Sequence, residues 1–306
     1  MTDKEHWTPN DAESLEGKRA VVTGANTGLG FETTKALAKK GAEVIMACRN
    51  MDKAAKAKAQ ILQEIPRSKL TTMEIDLASF ESVRKFAAKF NLEYSSLDLL
   101  INNAGVMMPP YELTDDGFEL QFHANYLGHF LLTGLLLRKL EAAPAARVIS
   151  LSSLAHEWGD IYFHDLNFKD NYDKRKSYGQ SKLACLMFAY ELERRLRKAN
   201  SSVLSLAAHP GISDTELSRY LPKLIRFISP LIMPLFAQSA RKGAQPTVRA
   251  AMDLSLTGGT YVGPNGKGEY KGNPVVVDSS LNSKDEEKAE RLWSVSEKLA
   301  NIIYLD

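Results

Sequence analysis

The sequence predicts an α/β fold, a doubly wound parallel sheet flanked by helices on both faces. Three observations predict it. Short β-branched or apolar runs alternate with longer segments of helical period. The runs are apolar almost throughout, as strands covered on both faces require. A glycine-rich turn joins the first run to the first helical segment.

The strand runs are Ala20–Thr23, Val44–Ala47, Leu70–Ile75, Leu97–Ile101, Val148–Leu151 and Val203–Ala207. The helical segments include Leu29–Lys40, Lys53–Ile65, Phe80–Phe90, Phe118–Leu140 and Ser177–Lys198. Right-handed crossovers between parallel strands then wind the sheet in both directions. Ser283–Ile303 reads as a tail helix opened by a capping box of Ser283 and Glu286. No repeat, low-complexity tract or Pro/Gly/Ser-rich linker divides the chain. Residues 19–306 therefore read as a single domain behind a polar lead-in, residues 1–18, with little ordering force. Residues 154–176 form a long irregular insertion, rich in aromatic and charged side chains, of the kind that is usually functional. Arg219–Ala240 is very apolar but broken by Pro222, Pro230 and Pro234. Three prolines suit the short helices of a substrate lid, near 213–240, better than one long membrane-surface or partner-binding helix.

Composition narrows the function. The 306 residues carry 39 Lys+Arg against 37 Asp+Glu, a net charge of +2, which leaves no footprint for nucleic acid. Hydrophobic residues at 44% and charged residues at 25% are globular values and exclude whole-chain disorder. The two cysteines, Cys48 and Cys185, form no CxxC pair, which points to a reduced compartment. The N-terminus lacks the apolar stretch of a secretory signal, and no run is long enough to span a membrane. A cytoplasmic protein is expected. The histidines His123, His129, His156, His164 and His209 show no metal-ligand spacing, so no metal site is expected.

The turn after the first run is Thr23-Gly24-Ala25-Asn26-Thr27-Gly28-Leu29-Gly30. Glycines there let the backbone approach a pyrophosphate, and the following helix N-terminus offers unpaired N–H groups and a favourable dipole. The spacing is GxxxGxG, and an ordinary βα turn is the competing reading. The second run ends at Ala47-Cys48-Arg49-Asn50, where a carboxylate would select a ribose 2′-hydroxyl. Arg49 stands there instead, and a guanidinium favours a 2′-phosphate, hence NADP(H) over NAD(H).

Tyr178 and Lys182 are four residues apart in a helical segment, so their side chains share one face. A phenol is a poor acid–base group at neutral pH, and an adjacent ammonium stabilises its ionised form. Ser152 and Ser153 end one strand run, and Asn102-Asn103-Ala104-Gly105 follows another. Strand C-termini are where doubly wound sheets hold ligands.

These motifs together resemble the short-chain dehydrogenase/reductase family, a single-domain Rossmann-type fold. The resemblance rests on TGANTGLG at 23–30, Asp76-Leu77, NNAG at 102–105, Asn125, Ser153, Tyr178 with Lys182, and Pro210-Gly211 with Thr215. In more detail it resembles the retinol dehydrogenase-like group, which includes the WW-domain-containing oxidoreductase. The stretches are ACRN at 47–50, NYLGHFLLT at 125–133, SSLAH at 152–156, YGQSKLA at 178–184, HPG at 209–211 and RLW at 291–293. That group also carries an insertion between its serine and tyrosine.

The resemblance implies roles. Tyr178 is the general acid or base, and Lys182 stabilises its phenolate and binds the nicotinamide ribose. Ser153 polarises the substrate carbonyl, with Ser152 the alternative. Asn125 holds a water that connects Lys182 to solvent. Gly24, Asn26, Thr27, Gly28, Leu29 and Gly30 surround the pyrophosphate, and Asp76 and Leu77 the adenine. Asn102, Ala104 and Gly105 line the cofactor, and Pro210, Gly211, Ile212 and Thr215 contact the nicotinamide side. A small hydrophobic carbonyl or alcohol substrate and a homo-oligomer are further implications. The alternatives are a sugar-nucleotide epimerase or dehydratase, which normally needs a larger C-terminal domain, and a cofactor-sensing module without turnover. The module is expected to lack Tyr178, Lys182 or Ser153, all of which are present.

Overall fold

Every apolar run named above forms a strand. A computed structural model of the chain describes residues 7–212 and 238–305. The strands are β1 (Arg19–Thr23), β2 (Glu43–Cys48), β3 (Lys69–Glu74), β4 (Leu99–Asn102), β5 (Arg147–Leu151) and β6 (Leu204–Ala208). All pair in parallel, and two further strands, β7 (Tyr261–Pro264) and β8 (Pro274–Val276), complete an eight-stranded sheet of order 3-2-1-4-5-6-7-8. Only β7 and β8 pair antiparallel. The order reverses between β1 and β4, and the crevice at that switch point is where such sheets bind ligands.

The helices start where short polar side chains can cap them. Asn50 accepts from Lys53 N at the start of α2 (Met51–Glu64), and Ser79 from Ser82 N at α3 (Phe80–Glu93). Asp173 accepts from two first-turn N–H groups of the long helix α5 (Lys174–Lys198). The first helix, α1 (Gly28–Lys39), has no side-chain cap. Helix α4 (Gly128–Glu141) continues without a break from a π-helical stretch, His123–Leu127. Gln245–Met252 forms α6, and Glu286–Ala300 forms α7. Ser283 is not the cap of α7. It lies in a preceding 3₁₀ turn, and Asp285 takes the cap by accepting from Lys288 N.

Alternate residues of β1 to β5 feed two cores, as the pleat demands, while Ala207 of β6 and Tyr261 of β7 join a smaller third cluster. Leu100 faces a cluster built by α3, α4, α5 and α7, while Leu99 and Ile101 face one built by α1, α2 and α6. Residues 7–18 of the lead-in are packed more closely than their polar composition predicts. Trp7 is buried with Ala12 in the second cluster, and Lys40 Nζ donates to Ala12 O at 2.5 Å. One indole supplies the ordering force that the surrounding polar residues lack. The insertion 154–176 is pinned to α5, with Tyr162 N donating to Gln180 Oε1 and Gln180 Nε2 donating to Leu166 O, both at 3.0 Å. Of the proposed lid, residues 213–237 lie outside the described residues, and Thr215 with them. Beyond them Gln238 N donates to Ile212 O at 2.8 Å. No described helix is long and apolar enough to cross a membrane.

Helix α7 is anchored by an aromatic cluster. Trp293 is 1% exposed, with its ring 5.0 Å from Phe130, 5.9 Å from Phe188 and 4.8 Å from Tyr304. Trp293→Ala is expected to lower unfolding free energy by about 3–5 kcal/mol, the usual range for truncating a buried large aromatic. Guanidinium unfolding of the purified variant beside wild type measures it.

Candidate active site

The glycine turn sits at the end of β1. Gly24 (φ +66°) and Gly28 (φ +55°) use left-handed backbone that other residues rarely adopt. A Cβ on Gly30 would fall 2.3 Å from Gly24 O and 2.5 Å from Asn103 Nδ2, so only glycine lets α1 approach the turn this closely. Thr27 is the N-cap of α1 but makes no side-chain cap bond. The first-turn N–H groups are thereby left for an anion, and the half-buried Asn26, Thr27 and Gly28 line the approach. Leu29 is buried and packs the turn on the core. These features fit a dinucleotide pyrophosphate.

At the adenosine end, Arg49 is exposed, with Nη1 3.7 Å from Asp76 Oδ2. Asp76 Oδ1 accepts from Ala78 N at 2.9 Å, and Leu77 is buried behind it. Cys48 lies beneath the turn, where burial pushes its thiol up to about 11 against backbone hydrogen bonds from Ala25 and Asn26. Both cysteines are free and buried.

The end of β4 is held to the end of β1. Asn103 N and Ala104 N each donate to Thr23 Oγ1 at 2.9 Å, and Asn103 Nδ2 donates to Thr23 O at 2.7 Å. Asn102 is buried, its Nδ2 donating to Thr133 Oγ1 at 3.1 Å. A Cβ on Gly105 would lie 3.0 Å from Asn125 Oδ1 and 3.6 Å from Lys182 Nζ, which puts this loop directly against both side chains. Asn125 lies in the π-helical stretch, a distortion frequent at functional sites. Its amide is fully used: Oδ1 accepts from Val106 N at 2.7 Å, and Nδ2 donates to Val106 O at 3.0 Å and Ser181 Oγ at 2.9 Å. Thr23 and Ser181 lie inside the TGANTGLG and YGQSKLA stretches but carry no expected role of their own, and Val106 lies outside any quoted motif. Ser181, next to Lys182, was the one findable by position.

Tyr178 and Lys182 are one turn apart on α5, 5% and 6% exposed. Lys182 Nζ lies 5.9 Å from the centre of the Tyr178 ring and donates to Leu151 O at 3.1 Å. The two serines divide. Ser152 is buried and donates to Lys182 O at 2.9 Å, a bond that stitches β5 to α5. Ser153 is half-buried and caps the 3₁₀ turn Leu154–Trp158 by accepting from Ala155 N at 3.2 Å, which leaves its hydroxyl proton unassigned. That turn packs on α5 beside Tyr178, since a Cβ on Gly179 would lie 3.3 Å from Ala155 O. His156 is buried, bonded to Ser153 O and to Ser280 N, and burial lowers its pKa, so it supports the turn rather than facing a substrate. A cleft lined by Met108, Pro109, Tyr111, Tyr172 and the Lys174–Lys176 turn opens at the start of α5.

After β6, Gly211 (φ +63°) makes a tight turn, and a Cβ there would meet Tyr270 O at 2.4 Å. Pro210 O accepts from Gln238 Nε2 at 2.8 Å, and Ile212 N donates to Tyr270 O at 2.8 Å. His209 is buried behind the turn, its Nε2 2.9 Å from Glu269 Oε2. Among the described residues, no group of His, Cys, Asp and Glu is arranged to hold a metal ion.

The chain belongs to the short-chain dehydrogenase family, whose pattern it matches over residues 18–224. It is a retinol dehydrogenase-like member and an oxidoreductase built on a nicotinamide-dinucleotide fold. Retinol dehydrogenase 13 of Homo sapiens is 42% identical over 294 residues, covering 94% of this chain and 86% of that protein. Retinol dehydrogenase 12 of Mus musculus is 42% identical over 291 residues, covering 94% and 88%. An uncharacterised protein from Mycobacterium paratuberculosis, known from its crystal structure, is 40% identical with a TM-score of 0.80, covering 97% of this chain and 98% of that one. RhlG of Pseudomonas aeruginosa, solved with NADP, shares the fold at 22% identity and a TM-score of 0.64, covering 81% and 94%.

Gly30→Ala tests the glycine turn. Overpacking of this kind costs about 1–3 kcal/mol, and the strain falls on the turn itself. Affinity for the nicotinamide dinucleotide, read by fluorescence titration with NADPH and with NADH, is expected to drop about tenfold or more on that basis, while far-UV circular dichroism stays unchanged.

Proposed function

We propose that the protein is an NADP(H)-dependent oxidoreductase that moves a hydride between nicotinamide and a hydrophobic aldehyde, ketone or alcohol. One observation carries this reading: Tyr178 and Lys182 stand one turn apart on the buried face of α5, with the ammonium tied to the end of β5 at Leu151 O. Nicotinamide, when bound, supplies or accepts the hydride at its C4. The chain's own residues handle the proton and the geometry. In the reducing direction Tyr178 gives its phenolic proton to the carbonyl oxygen, and Lys182 stabilises the phenolate left behind. Ser153 donates a hydrogen bond from its free hydroxyl to the same carbonyl oxygen, keeping its proton, and so fixes the substrate's orientation. Asn125 keeps Lys182 connected to solvent through a water, and alcohol oxidation runs the steps in reverse.

Arg49 supports NADP(H). It is the exposed cation at the end of β2, and rotating away from Asp76 frees it for a 2′-phosphate. The curated relatives named for retinol support a bulky apolar substrate, and the methionine, prolines and tyrosines of the cleft at α5 offer it a surface. Among the serines, the buried bond of Ser152 to Lys182 O supports Ser153 as the substrate-facing hydroxyl.

Tyr178→Phe removes the transferable proton and keeps the ring. Turnover of all-trans-retinal with NADPH is expected to fall by about 10²–10⁴-fold, the range for a positioned acid, with NADPH affinity unchanged by fluorescence titration. Turnover at the wild-type rate would refute the assignment. A charge-assisted hydrogen bond is worth about 1.5–3 kcal/mol. Arg49→Ala is therefore expected to raise the NADPH KM by roughly 10- to 100-fold and leave the NADH KM nearly unchanged. Equal shifts for both cofactors would refute the role of Arg49.

A further inference from the structure

We propose that His129 is a positioning residue, its imidazole bridging the Thr23 hydroxyl at the end of β1 to the backbone carbonyl of Asn125. This rests on the proton-transfer reading above, in which Asn125 serves Lys182. His129 Nδ1 lies 2.8 Å from Asn125 O, and its Nε2 lies 2.9 Å from Thr23 Oγ1. A carbonyl only accepts, so Nδ1 carries the proton. Nε2 is then the acceptor, and the Thr23 hydroxyl donates to it in preference to the longer 3.3 Å contact with Ile101 O. The Thr23 oxygen in turn accepts from Asn103 N and Ala104 N. Each donor in this chain meets an acceptor, and only one tautomer satisfies it.

The ring is held in that form. His129 is fully enclosed, and burial lowers its pKa to about 4, with the Lys182 ammonium acting in the same direction. It therefore stays neutral at neutral pH and offers a fixed dipole rather than a charge. The Asn125 carbonyl has one other side-chain partner, Cys185 Sγ at 3.2 Å. A thiol is a weak donor that a water can displace, whereas the imidazole N–H is a strong one. His129 thus fixes the direction of the carbonyl with a strong bond, while the Cys185 contact stays weak enough for the water that Lys182 needs to replace it. Through Thr23 it also ties that carbonyl to the loops that flank the cofactor, so the proton path and the dinucleotide turn share one rigid strut.

An Asn side chain reproduces the Nδ1 donor, and a Gln side chain reaches only the Nε2 position. Three variants of the full chain separate the roles: His129→Leu, His129→Asn and His129→Gln. The measurements are kcat and KM for all-trans-retinal with NADPH, and NADPH affinity by fluorescence titration. Misplacing a group by about 1 Å costs on the order of 10²-fold. His129→Leu is expected to lose roughly 10- to 100-fold in kcat on that scale, with KM and NADPH affinity within about threefold of wild type. His129→Asn is expected to restore kcat to within about threefold and His129→Gln to stay low. If His129→Leu fails to fold, the Asn and Gln pair decides, and equal kcat in the two overturns the proposal. Unchanged kcat in His129→Leu, or kcat, KM and affinity failing together with no rescue by Asn, overturns it as well. A wild-type protein that turns over neither retinal nor a long-chain aldehyde overturns the functional reading and this inference with it. An active wild type with an indifferent His129→Leu overturns the inference alone.

Discussion

A single hydroxyl holds the ligand-binding edge of this sheet together. Thr23 Oγ1 accepts from the backbone N–H groups of Asn103 and Ala104, and the Asn103 side chain returns a bond to Thr23 O. These bonds join the ends of β1 and β4, the neighbours between which strand order reverses. A crevice must open there because the following helices depart to opposite faces. Without a clamp, the two loops would expose buried N–H groups with no acceptor, which proteins rarely tolerate. With it, the glycine turn and the Asn102–Gly105 loop form one surface. Gly30 packs against Asn103, and Gly105 against Asn125 and Lys182.

The other wall is stitched in the same way. Helix α5 is bonded to β5 twice at Lys182, by Nζ to Leu151 O and by the Ser152 hydroxyl to Lys182 O. An ammonium this buried needs acceptors, because leaving water without them is expensive. Leu151 O supplies one, 3.1 Å from Nζ. The distance of Lys182 from Tyr178 is therefore set by the strand as well as by helical spacing. A deep polar core of this kind is stable only when its members are satisfied together.

The sheet and most helices were legible in the sequence because their signals are local. Apolar runs marked β1 to β6 to within about two residues at each end, the usual uncertainty of such boundaries. Strands β7 and β8 were not seen, since Tyr261–Pro264 and Pro274–Val276 are short and hold prolines and a glycine. Trp7 was read as part of a polar tail because one buried aromatic leaves no period. The π-helical stretch around Asn125 left no mark either, since its residues have no periodicity distinct from the helix around it. Tyr178, Lys182 and the glycine turn stood out through spacing and context. The preference for Ser153 over Ser152 comes from the family resemblance alone, because spacing does not say which way successive residues point at the end of β5. His129 was passed over for a similar reason: its partners are a backbone carbonyl and a hydroxyl far away in sequence.

Helix α7 lies behind the helix that carries Tyr178, with Trp293 stacked on Phe188 and the Arg195 guanidinium over its ring at 4.6 Å. Arg195 Nη1 also donates to Leu305 O at 3.1 Å. A ribosome delivers α5 long before it delivers these residues. Until they arrive, the apolar back of α5 faces water or a chaperone, and contacts this distant in sequence are slow to form. The face that carries Tyr178 and Lys182 and its late-arriving buttress are thus made at different times. A nascent chain completes the strands β1 to β5 first, and its Tyr178 helix is finished only once α7 and Leu305 have emerged to pack behind it.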